Sequence, residues 1–394
     1  MATTISFGGS TNTSNLILAS SAGSIGTTDS SLSNLAGLLQ NTHMFSKNTY
    51  VAHLYENDPN SPGMSYIELL RRLRLNNVTT PFTLTTKTTS YNDMQSDWQE
   101  LMRGDQIMAT TYPIYLWFKK DTDGIRYSPH GGFLQDAFPF SDRSLEAEVT
   151  HLKNLWELPG STASNPSFGA FTQLLQSDLN TSMNNAVLAF PFYTNTGSTL
   201  GQYDFEIVDK NSFANKKVRI LPNNIFGLAL GVDVSSATVS MLPGPSIQSN
   251  LENGTFNGAE FNNLYNNVVN NILDQSGAIY TYLDVVQEYI STVIVLVNRA
   301  WYESLTTTQK TQFHHERMAV KTEFYNNQVV VGNEYTRKLR AGEPIDKVNS
   351  SIVPKDLSTT AKASLKTMCD NWLTTNLPTD PILKAVHDAY TGAA

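Results

Sequence analysis

The stretch Lys217-Val-Arg-Ile-Leu-Pro222 and the later stretch Asn257-Gly-Ala-Glu260 decide the fold of this chain. Between them, the apolar pattern predicts a helix over 225–230 and a strand over 238–242. A short helix is predicted over 246–253, where the following glycine ends it. The order is therefore strand, helix, strand, helix and strand, with an arginine in the first strand and Gly-Ala-Glu in the last. Strands and helices that alternate in this way predict an α/β fold.

Length and composition narrow the class of protein. A chain of 394 residues can bury a large core and favours two lobes over one. Its net charge of -8 argues against a nucleic-acid groove, which needs clustered Lys and Arg, so we expect no nucleic-acid partner. The single cysteine, Cys369, excludes a disulfide within the chain and a cysteine zinc site. We expect neither a metal nor a cofactor.

Two observations bear on membranes and export. The longest apolar run, Val293-Ile-Val-Leu-Val297, is far shorter than the ~18–20 residues of a membrane span and predicts a buried strand. We therefore expect no membrane insertion. Residues 1–43 contain no Lys or Arg, and their best apolar patch, 16–19, is short for the core of a signal peptide. We expect no secretory signal.

The N-terminal segment is rich in Ser, Thr, Asn and Gly over residues 1–34. Such a composition by itself favours a flexible tail. The alternative is an irregular arm over 1–45 that lies on a neighbouring protein subunit. Its apolar residues are then the predicted assembly contacts, namely Ile5, Phe7, Leu16, Ile17 and Leu18.

The rest of the chain alternates between strand and helix patterns. Strands are predicted over 50–55, 82–88, 106–110 and 186–190, and helices over 65–75, 93–103, 144–156, 167–183, 307–340 and 359–372. This alternation predicts an α/β architecture with mostly parallel sheets. Segments 114–119 and 125–128 around Asp121-Thr-Asp-Gly124 predict a hairpin, because the ligands that would complete a calcium loop are missing. His314, Glu316 and Arg317 are predicted to form a solvated polar face of the long helix.

Six segments resemble, in unbroken order, the solute-binding proteins of TRAP transporters. They lie between about Tyr50 and Ala341, at 94–109, 133–140, 187–190, 213–220, 251–260 and 295–305. The resemblance implies a two-lobed, periplasmic-binding-protein-like α/β fold with a hinge, which closes on a small organic acid. It implies a first lobe over 46–190, completed by about 277–298, and a second over 191–276, completed by about 299–350. Residues 351–394 form a C-terminal helical segment.

The same resemblance names candidate ligand-binding residues. By position, Arg219 would grip the carboxylate of the ligand, which suits the planar fork of a guanidinium. Glu260, Tyr203 and Phe261 are the other candidates. The family's Gly-Phe-Arg appears here as Gly201-Gln-Tyr203, so a second cation is lost. A buried anion with too few partners costs several kcal/mol, which favours a collapsed pocket.

Three functions stay open, and none is enzymatic. No catalytic residue is predicted, because the chain has no Gly-x-Ser-x-Gly elbow and no His-x-x-x-His pair. The favoured hypothesis is a structural or assembly protein, a phage virion component associated with capsid or tail and located in the virion. The alternative is a periplasmic solute-binding protein that captures a small organic acid for a TRAP transporter. A cytosolic ligand sensor is the third.

Overall fold

The computed structural model divides the chain into two compact units. The first unit comprises Met1–Gly131, Asn154–Thr194 and Thr292–Asn327, and the second comprises Gly132–Lys153, Asn195–Ser291 and Gln328–Ala394. The structure describes residues 4–6, 39–45, 49–54, 69, 72–73, 78, 83–86, 94–117, 126–134, 138, 140, 143–194, 201–220, 223–240, 247–260, 264, 268, 273, 280–283, 292–346 and 348–392.

The described elements follow the predicted alternation. The strands are β1 (Thr4–Ser6), β2 (Leu39–Phe45), β3 (Thr49–Leu54), β4 (Thr83–Thr86), β5 (Met108–Thr111), β6 (Val187–Thr194), β7 (Gly201–Tyr203), β8 (Lys217–Arg219), β9 (Thr238–Ser240), β10 (Gly258–Ala259), β11 (Tyr280–Tyr282), β12 (Thr292–Asn298) and β13 (Val353–Lys355). The helices are α1 (Met94–Arg103), α2 (Ile114–Trp117), α3 (Leu145–Trp156), α4 (Ala170–Ser182), α5 (Ile225–Asp233), α6 (Ile247–Glu252), α7 (Arg299–Ser304), α8 (Thr307–Ala341), α9 (Thr359–Asn376) and α10 (Pro381–Thr391). No helix in this described part has both the length and the hydropathy that a membrane crossing requires.

The first unit contains a seven-stranded sheet in the order β1-β4-β3-β2-β5-β12-β6. Only β3 and β4 pair in parallel among these strands, and the other pairs are antiparallel. The prediction of mostly parallel sheets is therefore wrong for this unit. The chain leaves the unit at the end of β6 and re-enters it at the start of β12, at the same edge of the sheet. Because β6 ends beside the residue at which β12 begins, these two neighbouring strands run in opposite directions.

The second unit contains a six-stranded sheet in the order β13-β11-β7-β10-β8-β9. Here β8 pairs in parallel with β9 and β10, and β11 pairs in parallel with β13. Strand β7 is antiparallel to both of its neighbours, β10 and β11. The carboxyl ends of β8, β9 and β10 therefore meet at one edge of this sheet.

The core of the first unit is built around β12. All its residues are buried, and Val293, Val295 and Val297 belong to an apolar cluster that includes Phe313 and Val320 of α8. The prediction of a buried strand over 293–297 is confirmed. A strand whose residues are almost all apolar suits this central position, because both faces of the strand are buried.

Segment 114–117 forms a helical turn rather than the first strand of a hairpin. Backbone N–H groups of Tyr115 and Leu116 donate to the carbonyls of Tyr112 and Pro113. Pro113 precedes the turn, and its fixed φ favours the start of a helix. Ile114 and Leu116 are buried by this turn. The predicted hairpin is therefore wrong in its first strand.

The polar residues of α8 are also placed differently from the prediction. His314, Glu316 and Arg317 are buried in the first unit, so the predicted solvated face is wrong. Arg317 pairs with Glu157, which follows α3 in sequence, and that distant partner makes the burial of a charge tolerable.

The described part of the N-terminal arm pairs with its own chain. Strand β1 is antiparallel to β4, with Ile5 opposite Leu84. The other predicted assembly residues, Phe7, Leu16, Ile17 and Leu18, lie outside the described residues. The assembly role of the arm stays a prediction.

Candidate functional site

The candidate site lies at the carboxyl edge of the parallel strands in the second unit. Arg219 ends β8, Ala259 ends β10 and Ser240 ends β9, and the register aligns these three residues across the sheet. Open α/β sheets bind ligands outside the carboxyl ends of their strands. Arg219 thus stands in the middle of the edge at which this architecture places a ligand.

Arg219 and Glu260 are joined by two hydrogen bonds. The Arg219 side chain is 2% exposed, and its Nη1 donates to the backbone carbonyl oxygen of Glu260 at 2.8 Å. In return, the backbone N–H of Glu260 donates to the Arg219 carbonyl oxygen at 2.8 Å. The side chain of Arg219 is therefore held by the backbone of the neighbouring strand, which fixes the direction of its guanidinium.

Asn224 connects this pair to helix α5. Its Nδ2 donates to Oε1 of the buried Glu260 carboxylate at 3.0 Å. Its Oδ1 accepts the backbone N–H of Gly227 and so caps the helix. Sequence reasoning missed Asn224, although an asparagine before an apolar helical run is a recognised start signal. The carboxylate of Glu260 is thus held by a residue that the helix start itself requires.

Tyr203 lies on the opposite face of the sheet from Arg219. It pairs in register with Gly258, which pairs with Val218, the neighbour of Arg219. Because side chains alternate along a strand, the buried Tyr203 ring lies in the core with Phe213.

Gly258 permits this packing, since a Cβ there would lie 2.1 Å from Cδ1 of Tyr203. The structure thus brings two of the predicted residues together, Arg219 and Glu260, and places Tyr203 in the core. Phe261 lies outside the described residues. A ligand contact by Tyr203 or Phe261 stays a prediction.

Two further polar residues share the face of Arg219. The register runs from Thr281 to Gln202, then to Ala259 and Arg219. Thr281 and Gln202 are fully buried, and the Thr281 hydroxyl and both amide atoms of Gln202 have no hydrogen-bond partner in the described part of the chain. An unpaired buried polar group costs about 1–3 kcal/mol. The unpaired groups of Thr281 and Gln202 therefore lower the free energy of unfolding of the fold beside the candidate site.

Sequence comparisons find no counterpart for the chain, whereas structure comparisons do. No protein-family model matches, and no curated protein matches. A TRAP periplasmic solute-binding protein from Pseudoalteromonas atlantica T6c, with bound sodium and pyruvate, has 16% identity and a TM-score of 0.60, over 85% of this chain and 92% of that chain.

Two other solved structures agree with this similarity. A TRAP transporter solute-binding protein from Bordetella bronchiseptica RB50, a mixed-occupancy dimer with calcium and picolinate, has 15% identity and a TM-score of 0.61, over 84% of this chain and 86% of that chain. A TRAP periplasmic solute-binding protein from Desulfovibrio salexigens with bound orotic acid has 12% identity and a TM-score of 0.59, over 84% of this chain and 95% of that chain. At such identities the likeness shows the fold. The chain therefore has the mixed α/β, two-sheet fold of the TRAP solute-binding proteins, as the resemblance implied.

Proposed function

We propose that this chain captures a small organic acid and that Arg219 binds the carboxylate of the ligand. The observation that carries the proposal is the position of Arg219, buried at the carboxyl edge of β8 and oriented by the carbonyl of Glu260. Three proteins of similar fold hold pyruvate, picolinate and orotic acid, each of which has a carboxylate.

The chemistry of the site suits binding rather than reaction. A guanidinium presents planar N–H donors that match the two oxygens of a carboxylate. Burial strengthens that attraction, because the effective dielectric is lower than in water. Glu260 and Asn224 act as positioning residues, since their hydrogen bonds join β8, β10 and α5 around the arginine.

The fold comparisons favour the organic-acid hypothesis over the virion hypothesis. The proteins of similar fold are solute-binding proteins, and none of the observations on the described residues supports an assembly role in a virion. Delivery of the acid to a membrane transporter and a periplasmic location follow as further parts of the proposal.

Isothermal titration calorimetry with pyruvate, picolinate, orotate and galacturonate tests the proposal. We expect wild-type protein to bind at least one of these acids. Arg219→Met should weaken that binding by about 10- to 150-fold, which corresponds to the 1.5–3 kcal/mol of a hydrogen bond to a charged group. Arg219→Lys should recover only part of the affinity, because an ammonium lacks the planar fork.

Arg103→Met is the matched control, because Arg103 is a surface arginine of the other unit with a side chain 58% exposed. Circular dichroism checks that each variant is folded. The proposal is wrong if wild-type protein binds none of the four acids, or if folded Arg219→Met binds as tightly as Arg103→Met.

A further inference from the structure

The guanidinium of Arg126 lies over the indole ring of Trp117 in the first unit. Its Cζ is 4.3 Å from the centre of the indole ring, a distance typical of a cation–π contact. Trp117 ends helix α2, and both side chains are partly buried. The indole therefore shields the guanidinium on one side, and the N–H donors lie in the plane of the guanidinium.

The backbone that carries Arg126 is firmly held. Two residues later, the N–H of Ser128 donates to the carbonyl of Leu116 at 2.8 Å, which ties this segment to α2. The Ser128 hydroxyl donates to Oδ2 of Asp178 at 2.6 Å, and the backbone N–H of His130 donates to the same oxygen at 3.0 Å. Arg126 and Trp117 therefore meet on an anchored backbone, which lowers the entropic cost of holding a ligand.

The guanidinium of Arg126 has no acceptor among the residues that the structure describes. Its Nε is buried and has no hydrogen-bond partner, and Arg126 makes no ion pair with any residue in the described ranges. Burial also lowers the pKa of Arg126. A desolvated donor without an acceptor is costly, and a buried charge is normally paired. The Nη1 and Nη2 atoms of Arg126 are not among these buried atoms, so an anionic oxygen can reach that edge of the guanidinium and pair with its charge.

We propose that Arg126, stacked on Trp117, is a second carboxylate-binding site, located in the first unit and independent of Arg219. One guanidinium edge offers two parallel N–H donors, which match the two oxygens of one carboxylate. The donors of a guanidinium also match phosphate oxygens, so inorganic phosphate is the competing ligand in the test.

Arginine Nε–H resonances of 15N-labelled protein test this site directly. The Arg126 resonance is assigned by its loss in Arg126→Lys, and the probe is sodium succinate, with sodium chloride at matched ionic strength as the control. We expect a saturable shift of the Arg126 resonance with succinate and none with chloride. The shift should persist in Arg219→Met, so that this site and the proposed function fail or succeed separately.

Tryptophan fluorescence measures the affinity of the same site. We expect a succinate-dependent change that Arg126→Met and Trp117→Phe both abolish, the first by removing the site and the second by removing the reporter. Trp117→Phe should keep the NMR shift, whereas Trp117→Leu should weaken binding about 2- to 5-fold through loss of the cation–π contact.

Three results would overturn the proposal. The first is a wild-type Arg126 resonance that does not respond saturably to succinate. The second is a fluorescence response that survives in Arg126→Met. The third is tighter binding of inorganic phosphate than of succinate at Arg126.

Discussion

Arg317 and Glu157 form a buried ion pair, with Nη2 of the arginine 2.5 Å from Oε1 of the glutamate. Arg317 also donates through Nη1 to the carbonyl of Pro191, at the point where β6 and β12 shift register. Lys321 donates to the second oxygen of Glu157 at 2.5 Å. This cluster therefore joins helix α8 to the strand by which the chain leaves the first unit.

Breaking this pair on one side should destabilise the protein strongly. Glu157→Gln leaves the charge of Arg317 buried without its counter-ion, and we expect a loss of about 3–5 kcal/mol in the free energy of unfolding. Urea denaturation followed by circular dichroism measures the change. Asp105→Asn, at the exposed pair with Arg103, is the control and should change stability by under about 0.5 kcal/mol. A loss equal to that of the control would refute a structural role for the pair.

The stabilising effect of Glu157 should disappear in acid. Burial acts to raise the pKa of its carboxyl, but the charges and hydrogen bonds of Arg317 and Lys321 outweigh burial and lower the pKa to about 2. The unfolded state, with a pKa near 4.5, then binds a proton that the folded state does not, so stability falls as pH drops from 4.5 toward 2. Urea titrations across this window should show a smaller decline in Glu157→Gln than in wild-type protein.

His314 should make stability depend on pH at milder acidity. Burial and, secondly, the charge of Arg317 lower the pKa of His314 from 6.5 to about 3. Between pH 6.5 and 4.5 only the unfolded state protonates this ring, so the folded state loses about 2 kcal/mol of relative stability as pH falls. His314→Phe keeps a ring among Phe190 and Phe313 and should remove that part of the slope. Identical slopes for variant and wild type would contradict the prediction.

The same substitution at two buried threonines should have opposite effects. Thr281→Val removes an unpaired hydroxyl and should raise the free energy of unfolding by about 1 kcal/mol. Thr172→Val removes a hydroxyl that donates to the carbonyl of Trp156 at 2.6 Å, and should lower it by about 1–3 kcal/mol. Both residues are buried, so burial cancels in the comparison. Thermal denaturation of the two variants measures the sign of each change in stability. Two losses of equal size would contradict the prediction that the Thr281 hydroxyl has no hydrogen-bond partner.

Two glycines provide a test of packing beside the site. Gly258→Ala would place a Cβ 2.1 Å from the Tyr203 ring and should cost about 1–3 kcal/mol by overpacking. Gly231→Ala, in helix α5, would place a Cβ 3.8 Å from Val239, the one neighbour within 4 Å among the described residues, and should stabilise by up to about 1 kcal/mol. Equal stabilities of the two variants, compared by urea denaturation, would show that β7 moves freely away from β10.

Local patterns in the sequence were enough for much of the fold. The apolar run 293–297 predicted the buried strand β12, and α1 ends before Gly104, whose φ of 82° suits a helix stop. The resemblance also led to Arg219. Asn224 could have been found from its capping position. Its bond to Glu260 could not, because it depends on how α5 packs against β10.

The sequence by itself predicted most of the alternation of strands and helices, because periodicity, capping and glycine stops act over a few neighbouring residues. Only the tertiary structure decided which strands run antiparallel, which charges are buried and which side chains meet. Arg317 illustrates the physical reason: on α8 alone it belongs to a polar segment, and only Glu157, distant in the chain, makes its burial stable.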